Sequence, residues 1–555
     1  MNGITMMAIA GVVLILAYVI YGKYLERKWG IDKNAITPAY ELEDGVDYVP
    51  ADSNIVFGHQ FASIAGAGPI NGPIQAIMFG WLPVLLWILF GGVFFGAVQD
   101  FVSMYASVKN KGKTIGYIIE EYIGKTGKKL FLLFCWLFCI LVTAAFADIV
   151  AGTFNGIGEL GTKIESNGAV ATTSMIFIVE AVALGLILRY GKLNKSINTI
   201  IAIVLLVAGI YLGIKMPVYI SQSTWHILVF IYIAIATITP VWILLQPRDY
   251  LNSYLLIAMI LAAVVGIFVA NPEVNIAAFN GFNVNGQAIF PFLFVTIACG
   301  AVSGFHALVS SGTSSKQIKN EKHMLPVSFG AMLMESMLAV IAVIAVASFA
   351  AGETAELGYV TPSQIFAGAI ANFLSEVGLP HSIVFTLINL AVSAFALTSL
   401  DSVARIARIS FQELFLEDEP TTNPLIKFIT NKYVATFITL ALAYALAKVG
   451  YSAIWPLFGA SNQLLSVLAL LACSVFLKKT KRENKMLLIP IFVMIAVTFT
   501  ALTIKIIELS TLFMAGNLDF ANTIQLVFGV LIFALGICVT VQGFKKLFEK
   551  EEVNA

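Results

Sequence analysis

Apolar stretches of roughly 20 residues, the length a helix needs to cross a bilayer, follow one another along almost the whole chain. Fifteen can be read, at about 3–22, 56–79, 81–106, 129–154, 171–190, 196–215, 223–246, 250–270, 290–312, 326–350, 381–412, 430–449, 453–477, 486–509 and 522–544. Only 12% of the 555 residues are charged, about half the share that a water-facing surface uses. The fold class this predicts is an all-α polytopic membrane protein whose main partner is the lipid bilayer. The formal net charge of +1 leaves no basic excess for nucleic acid. Five cysteines lie mostly in apolar runs, without the spacing of a disulfide framework or a zinc site. No metal is expected. The first stretch starts almost at Met1 with no basic segment before it, and reads as a retained helix.

Basic residues orient the spans, because short inner loops are enriched in Lys and Arg. With the N-terminus outside, 29 of the 33 basic residues fall on the inner side, and only Lys163, Lys215, Lys448 and Lys505 fall elsewhere. A miscounted helix would invert every later loop and destroy that pattern. The expectation is an N-out, C-in chain with an odd helix count. Loops 271–289 and 352–380 lack Lys and Arg and predict small outer hairpins or short helices. No linker separates a soluble domain. The expected organisation is an extra N-terminal helix (1–30), a transport core (55–415) and C-terminal helices (430–545) that serve packing or homodimer contacts.

The second span carries Gly58-His59-Gln60-Phe61 and then Ala65-Gly66-Ala67-Gly68-Pro69-Ile70-Asn71-Gly72-Pro73. This density of Gly and Pro breaks a helix. Within lipid, such a break survives only where it is buried in protein or lines a cavity. Five spans later a weaker break is read at Thr237-Ile238-Thr239-Pro240-Val241-Trp242, followed by Gln246-Pro247-Arg248. Spans 2–6 (55–216) and 7–11 (223–413) would then be two units of opposite topology. That pattern points to an inverted-repeat carrier with its site at the breaks. Ala65, Gly66, Ala67, Gly68, Pro69, Gly72, Thr237, Thr239 and Pro240 are the predicted substrate-binding residues. A kinked structural helix is the plainer reading of the same residues.

Ionisable groups at membrane depth mark pathways or partners. His59, Ser63 and Gly66 share one helical face. Ser303, His306, Ser310 and Thr313 form a stripe along the ninth span. His59, Asp100, His306 and Glu335 are the candidate proton carriers, since histidine titrates near neutral pH. Ser303, Ser310, Ser311 and Thr313 are an alternative sodium site, or helix–helix glue. Asp148 and Glu180 are proton carriers or satisfied structural acids. Asp401 and Arg405, at i, i+4, suit an ion pair that is structural or an inner gate.

Four segments resemble the carbon starvation protein A family of peptide and pyruvate transporters. They are Gly58-His59-Gln60-Phe61 through Gly72-Pro73, Gly96-Ala97-Val98-Gln99-Asp100-Phe101, Ser303-Gly304-Phe305-His306 through Thr313, and Trp455-Pro456-Leu457-Phe458-Gly459-Ala460-Ser461-Asn462-Gln463-Leu464. The resemblance implies a plasma-membrane importer induced by nutrient limitation. It implies a five-plus-five inverted-repeat core similar to the amino acid–polyamine–organocation (LeuT-like) fold, and short peptides or pyruvate as proton-driven small-molecule substrates. Those substrates share a carboxylate, which suits the free amides and positive end of a half-helix, here around Gly68 to Gly72. No cofactor is expected beyond the coupling ion, H⁺ or Na⁺. The chain shows no H-E-x-x-H, G-x-S-x-G or Walker A motif, which argues against an enzyme or an ATP-driven pump. A channel would not need paired breaks.

Overall fold

A computed structural model of the chain describes residues 1–44, 48–158, 161–191, 194–240, 243–350, 352–359, 361–415, 423–516 and 519–549. Val241, Trp242, Lys192 and Lys550 lie outside the described residues, as do the side chains of Arg189, Lys195 and Gln246.

Among the described residues, eleven helices are long and apolar enough to cross a membrane. Two shorter apolar helices, Gln222–Ile238 and Lys432–Ala447, accompany them. The remaining apolar stretches form two pairs of half-helices, Ser53–Ile64 with Gly68–Ala76 and Ile289–Thr296 with Gly304–Gly312. The loops 271–289 and 352–380 hold a two-stranded hairpin at Asn283–Val284 and Gln287–Ala288 and the helix Pro362–Ser375, which Thr361 and Gln364 cap reciprocally.

Burial separates the helices into a centre and a rim. The most apolar window of Tyr451–Lys479 is 100% buried, and those of His381–Phe415 and Lys125–Phe154 are 89% and 83% buried. The corresponding windows of Gly3–Trp29 and Ile197–Lys215 are only 28% and 17% buried, so these two lie at the rim. Lys125–Phe154 and His381–Phe415 run antiparallel along each other. Thr153 shares a hydroxyl hydrogen bond with Ser393 (2.9 Å) near one end, and Ser410 donates to the Cys135 sulfur (3.7 Å) near the other.

Two expectations about the breaks are corrected. The seventh span, read as 223–246, is helical only as far as Ile238. Its helix Gln222–Ile238 simply ends, and Thr239 and Pro240 lead toward the next helix, Leu245–Ala270. The residue before a proline is disfavoured in helical geometry, and Arg405 satisfies the freed carbonyls by donating to Ala236 O (2.9 Å) and Thr239 O (2.5 Å). Thr237, Thr239 and Pro240 therefore mark a helix end. The second true break is in the ninth span, which reads as continuous in sequence. Its backbone leaves the helix after Thr296 and turns, with Val302 N–H donating to Ala298 O (2.7 Å), before Gly304 restarts it.

Candidate functional site

The two breaks pack against each other at glycines. A Cβ on Gly66 would come 2.6 Å from Ser399 Oγ, and one on Gly68 would collide with Cys299 Sγ. A Cβ on Gly72 would come 2.6 Å from Thr296 O, the last carbonyl of the other half-helix. Small residues are required here because any side chain would wedge the breaks apart. After each break a half-helix restarts at the crossing, Gly68–Ala76 with Ala67 as N-cap and Gly304–Gly312 with Ser303 as N-cap. Each presents the positive end of its dipole there. The predicted run of free amides narrows, however. Pro69 has no N–H, and the amides of Ile70 and Asn71 bond Ala67 O at 3.3 and 2.9 Å.

Side chains from distant helices complete the second break. Trp455 Nε1 donates to Thr296 O (3.2 Å) and Gln463 Nε2 to Phe294 O (2.6 Å). Asn462 Oδ1 accepts from Phe305 N (3.0 Å), and its Nδ2 donates to Ser303 Oγ (3.0 Å). Gln99 Nε2 donates to Ser303 O (2.6 Å), and Ser336 Oγ to Gly300 O (3.2 Å). Ser466 in turn bonds Gln99 Oε1. Buried backbone groups left bare would cost about 1–3 kcal/mol each, so these partners are what make the break affordable inside a bilayer.

Between the breaks lies a cavity of about 20 Å³, room for about one water. Phe138, Phe146, Phe305 and Phe458 wall it, and Ser399, Asn462 and the backbone at Gly66 and Gly68 give it polar edges. It is far too small for an organic nutrient, so this conformation is shut around the crossing.

One helical turn beyond the second break, His306 sits between two acids. Its Nδ1 lies 3.2 Å from Asp100 Oδ2, and its Nε2 lies 3.2 Å from Glu335 Oε2, off the hydrogen-bond axis. All three side chains are buried, and both Glu335 oxygens lack any hydrogen-bond partner. Gln99 Nε2 also reaches Asp100 Oδ1 at 3.4 Å. The structure thus gathers three of the four predicted proton carriers. His59 stands apart: its Nε2 is buried without a hydrogen-bond partner, and no ion pair reaches it among the described residues. Its neighbour Gln60 donates to Ser310 Oγ (2.8 Å) and accepts from Ser314 Oγ (2.6 Å).

The predicted sodium ligands each have a hydrogen-bond partner of their own. Ser303 turns to Asn462 and Ser310 to Gln60, while Ser311 and Thr313 donate back to Ala307 O (2.7 Å) and Val309 O (3.0 Å). The expected Asp401–Arg405 pair is also corrected. Asp401 is bridged by Arg248 and Tyr232, reaching it from other helices, while Arg405 is committed to the carbonyls at the end of Gln222–Ile238. Sequence reasoning missed Gln99, Asn462, Gln463 and Ser399 as individual residues. The first three stand inside motifs singled out above, whose polar members in apolar runs were the available signal. Ser399 gave none.

Against known proteins, residues 2–358 and 347–501 match the family described as carbon starvation protein CstA. The peptide transporter CstA of Bacillus subtilis (strain 168) is 31% identical over 534 residues, covering 88% of this chain and 87% of that one. The protein of the same name from Escherichia coli (strain K12) is 31% identical, over 85% of this chain and 76% of its own. The pyruvate/proton symporter BtsT of Escherichia coli (strain K12) is 32% identical over 85% of this chain and 77% of its own. With the family matched across nearly its whole length, this multi-pass membrane protein belongs to the carbon starvation protein CstA family.

Proposed function

We propose that the chain is a secondary active importer of small carboxylate-bearing nutrients, short peptides or pyruvate, driven by protons through alternating access. The observation that carries this is His306 held between Asp100 and Glu335, next to the crossing of two broken helices. A buried uncompensated charge is costly. Electroneutrality therefore asks the cluster to hold two titratable protons among three sites, so a proton can move from one site to another without leaving a net buried charge. Asn462 lines the cavity, bonds Ser303 and so joins the cavity to the helix that carries His306. Filling or emptying the cavity can thereby bias the cluster. The names of the relatives support the substrate classes, and the proton in one of those names supports the coupling.

The substrate carboxylate is assigned to the crossing, at the Gly68 amide and the two converging helix N-termini. The fold assigned is LeuT-like, in the plasma membrane, with the N-terminus outside and the C-terminus inside. An inverted repeat is best framed with its second copy starting at Ile289 and not at residue 223. The broken helices are seven spans apart, and so are the paired central helices Lys125–Phe154 and His381–Phe415. Uptake of labelled pyruvate and of a dipeptide into proteoliposomes, under imposed pH or sodium gradients, tests this reading. Accumulation is expected with an inward proton gradient and none with sodium alone. Sodium-driven accumulation indifferent to pH would overturn it.

A further inference from the structure

Away from the crossing, a cavity of about 640 Å³ opens where the first span ends and the tenth begins. Lys23, Arg27 and Lys33 wall it from one segment, and Lys322 and His323 from another nearly 300 residues later. Among the described residues, the one carboxylate in the wall is Glu26, which Lys23 already holds at 2.9 Å. Among the described residues, Arg27, Lys33 and Lys322 have no carboxylate within 4.0 Å. The nearby acid Glu321 is taken by Lys109 at 2.6 Å and by the Asp32 amide at 2.9 Å. His323 Nδ1 is buried without a partner.

Residues that only set topology need to lie in inner loops, one beside another in sequence. They do not need to converge from two distant segments on one concave space, where like charges repel. Three unpaired cations around a cavity are a site for a multivalent oxygen anion, and Arg with Lys is the pair that phosphate favours. The surroundings say where the phosphate comes from. Tyr18 lines the cavity, and Tyr21 and Tyr24 stack nearby at 6.2 Å, placing an aromatic belt at headgroup level. Ile15, Val19 and Ile20, flanking Tyr18 on the same helix, form an exposed apolar stripe. A headgroup in the cavity would leave its acyl chains on this stripe.

We propose that this cavity binds the headgroup of an anionic phospholipid, which ties the peripheral first helix to the tenth span that carries Glu335. Native mass spectrometry of the full chain, titrated with short-chain phosphatidylglycerol, phosphatidylcholine or inorganic phosphate, tests the proposal. Phosphatidylglycerol is expected to bind in preference to phosphatidylcholine. The double variant Arg27→Gln/Lys322→Gln should weaken it by about tenfold or more, with no change in folded yield. The variant Lys545→Gln/Lys546→Gln, which removes exposed charges at another helix end, should bind as the parent does. Three outcomes would each overturn the proposal: equal retention of both lipids, an unchanged affinity in the first variant, or displacement of phosphatidylglycerol by equimolar inorganic phosphate.

Discussion

Among the described residues are two buried histidine–aspartate pairs, and they are built to opposite ends. At one, Asp148 accepts from Gln222 Nε2 (2.9 Å) and the Tyr451 amide (2.6 Å) and pairs with His226 at 2.7 Å. Both of its oxygens are satisfied, and the pair pins the starts of Gln222–Ile238 and Tyr451–Lys479 to Lys125–Phe154. At the other, His306 serves two acids, at a longer 3.2 Å to each, and Glu335 has no other partner at all. The difference lies in the ratio of donors to acceptors. A carboxylate with all its donors in place is a clamp. Two carboxylates sharing one imidazole, with too few donors between them, have a vacancy that a proton fills.

The sharpest way to break this comparison is to remove each histidine in turn. His306→Gln should lower proton-driven accumulation by about 100-fold or more, while His226→Gln leaves it near the parental rate, both measured in proteoliposomes with matched protein content. Equal losses would erase the distinction. Gly66→Leu sharpens it from the other side, since the new side chain fills the crossing at Ser399. Equilibrium binding of pyruvate or dipeptide should vanish in Gly66→Leu and persist in His306→Gln, because one site holds substrate and the other holds protons.

A third charged group calibrates the clamp. Arg248→Gln leaves Asp401 buried and unpaired, and should destabilise the protein by about 3–5 kcal/mol. Arg405→Gln, which removes hydrogen bonds to two carbonyls at a helix end, should cost about 1–3 kcal/mol. Thermal unfolding in detergent ranks the two. The smallest effect on transport belongs to His226→Gln, with uptake kept and a stability loss of about 1–3 kcal/mol, comparable with that of Arg405→Gln.

These regions differ also in how far the sequence discloses them. The apolar runs, the first break and the isolated ionisable residues are local properties, written within one span, and can be read directly. Gly66 and Pro69, at the turn and in the first turn of the restarted helix, announce the first break wherever the chain goes. The second break is written elsewhere. The segment 297–303 contains no proline, and it leaves the helix because Trp455, Asn462, Gln463, Gln99 and Ser336 supply its missing hydrogen bonds. A reading confined to one span cannot see partners on three others. Asp401 is misread for the same reason: Arg405 is close in sequence, but Arg248 is close in space. Asp100, His306 and Glu335 each stand out as polar residues in apolar runs, and only the packing brings them together.

The measurement that bears most directly on the central claim is transport by Glu335→Gln, a variant of nearly the same shape that cannot take up and release the proton. Exchange of labelled for unlabelled substrate across the proteoliposome membrane should continue, because the crossing is intact. Accumulation driven by an imposed pH gradient should be lost. If Glu335→Gln still concentrates substrate under that gradient as the parent does, the cluster around His306 is not the proton carrier and the account fails.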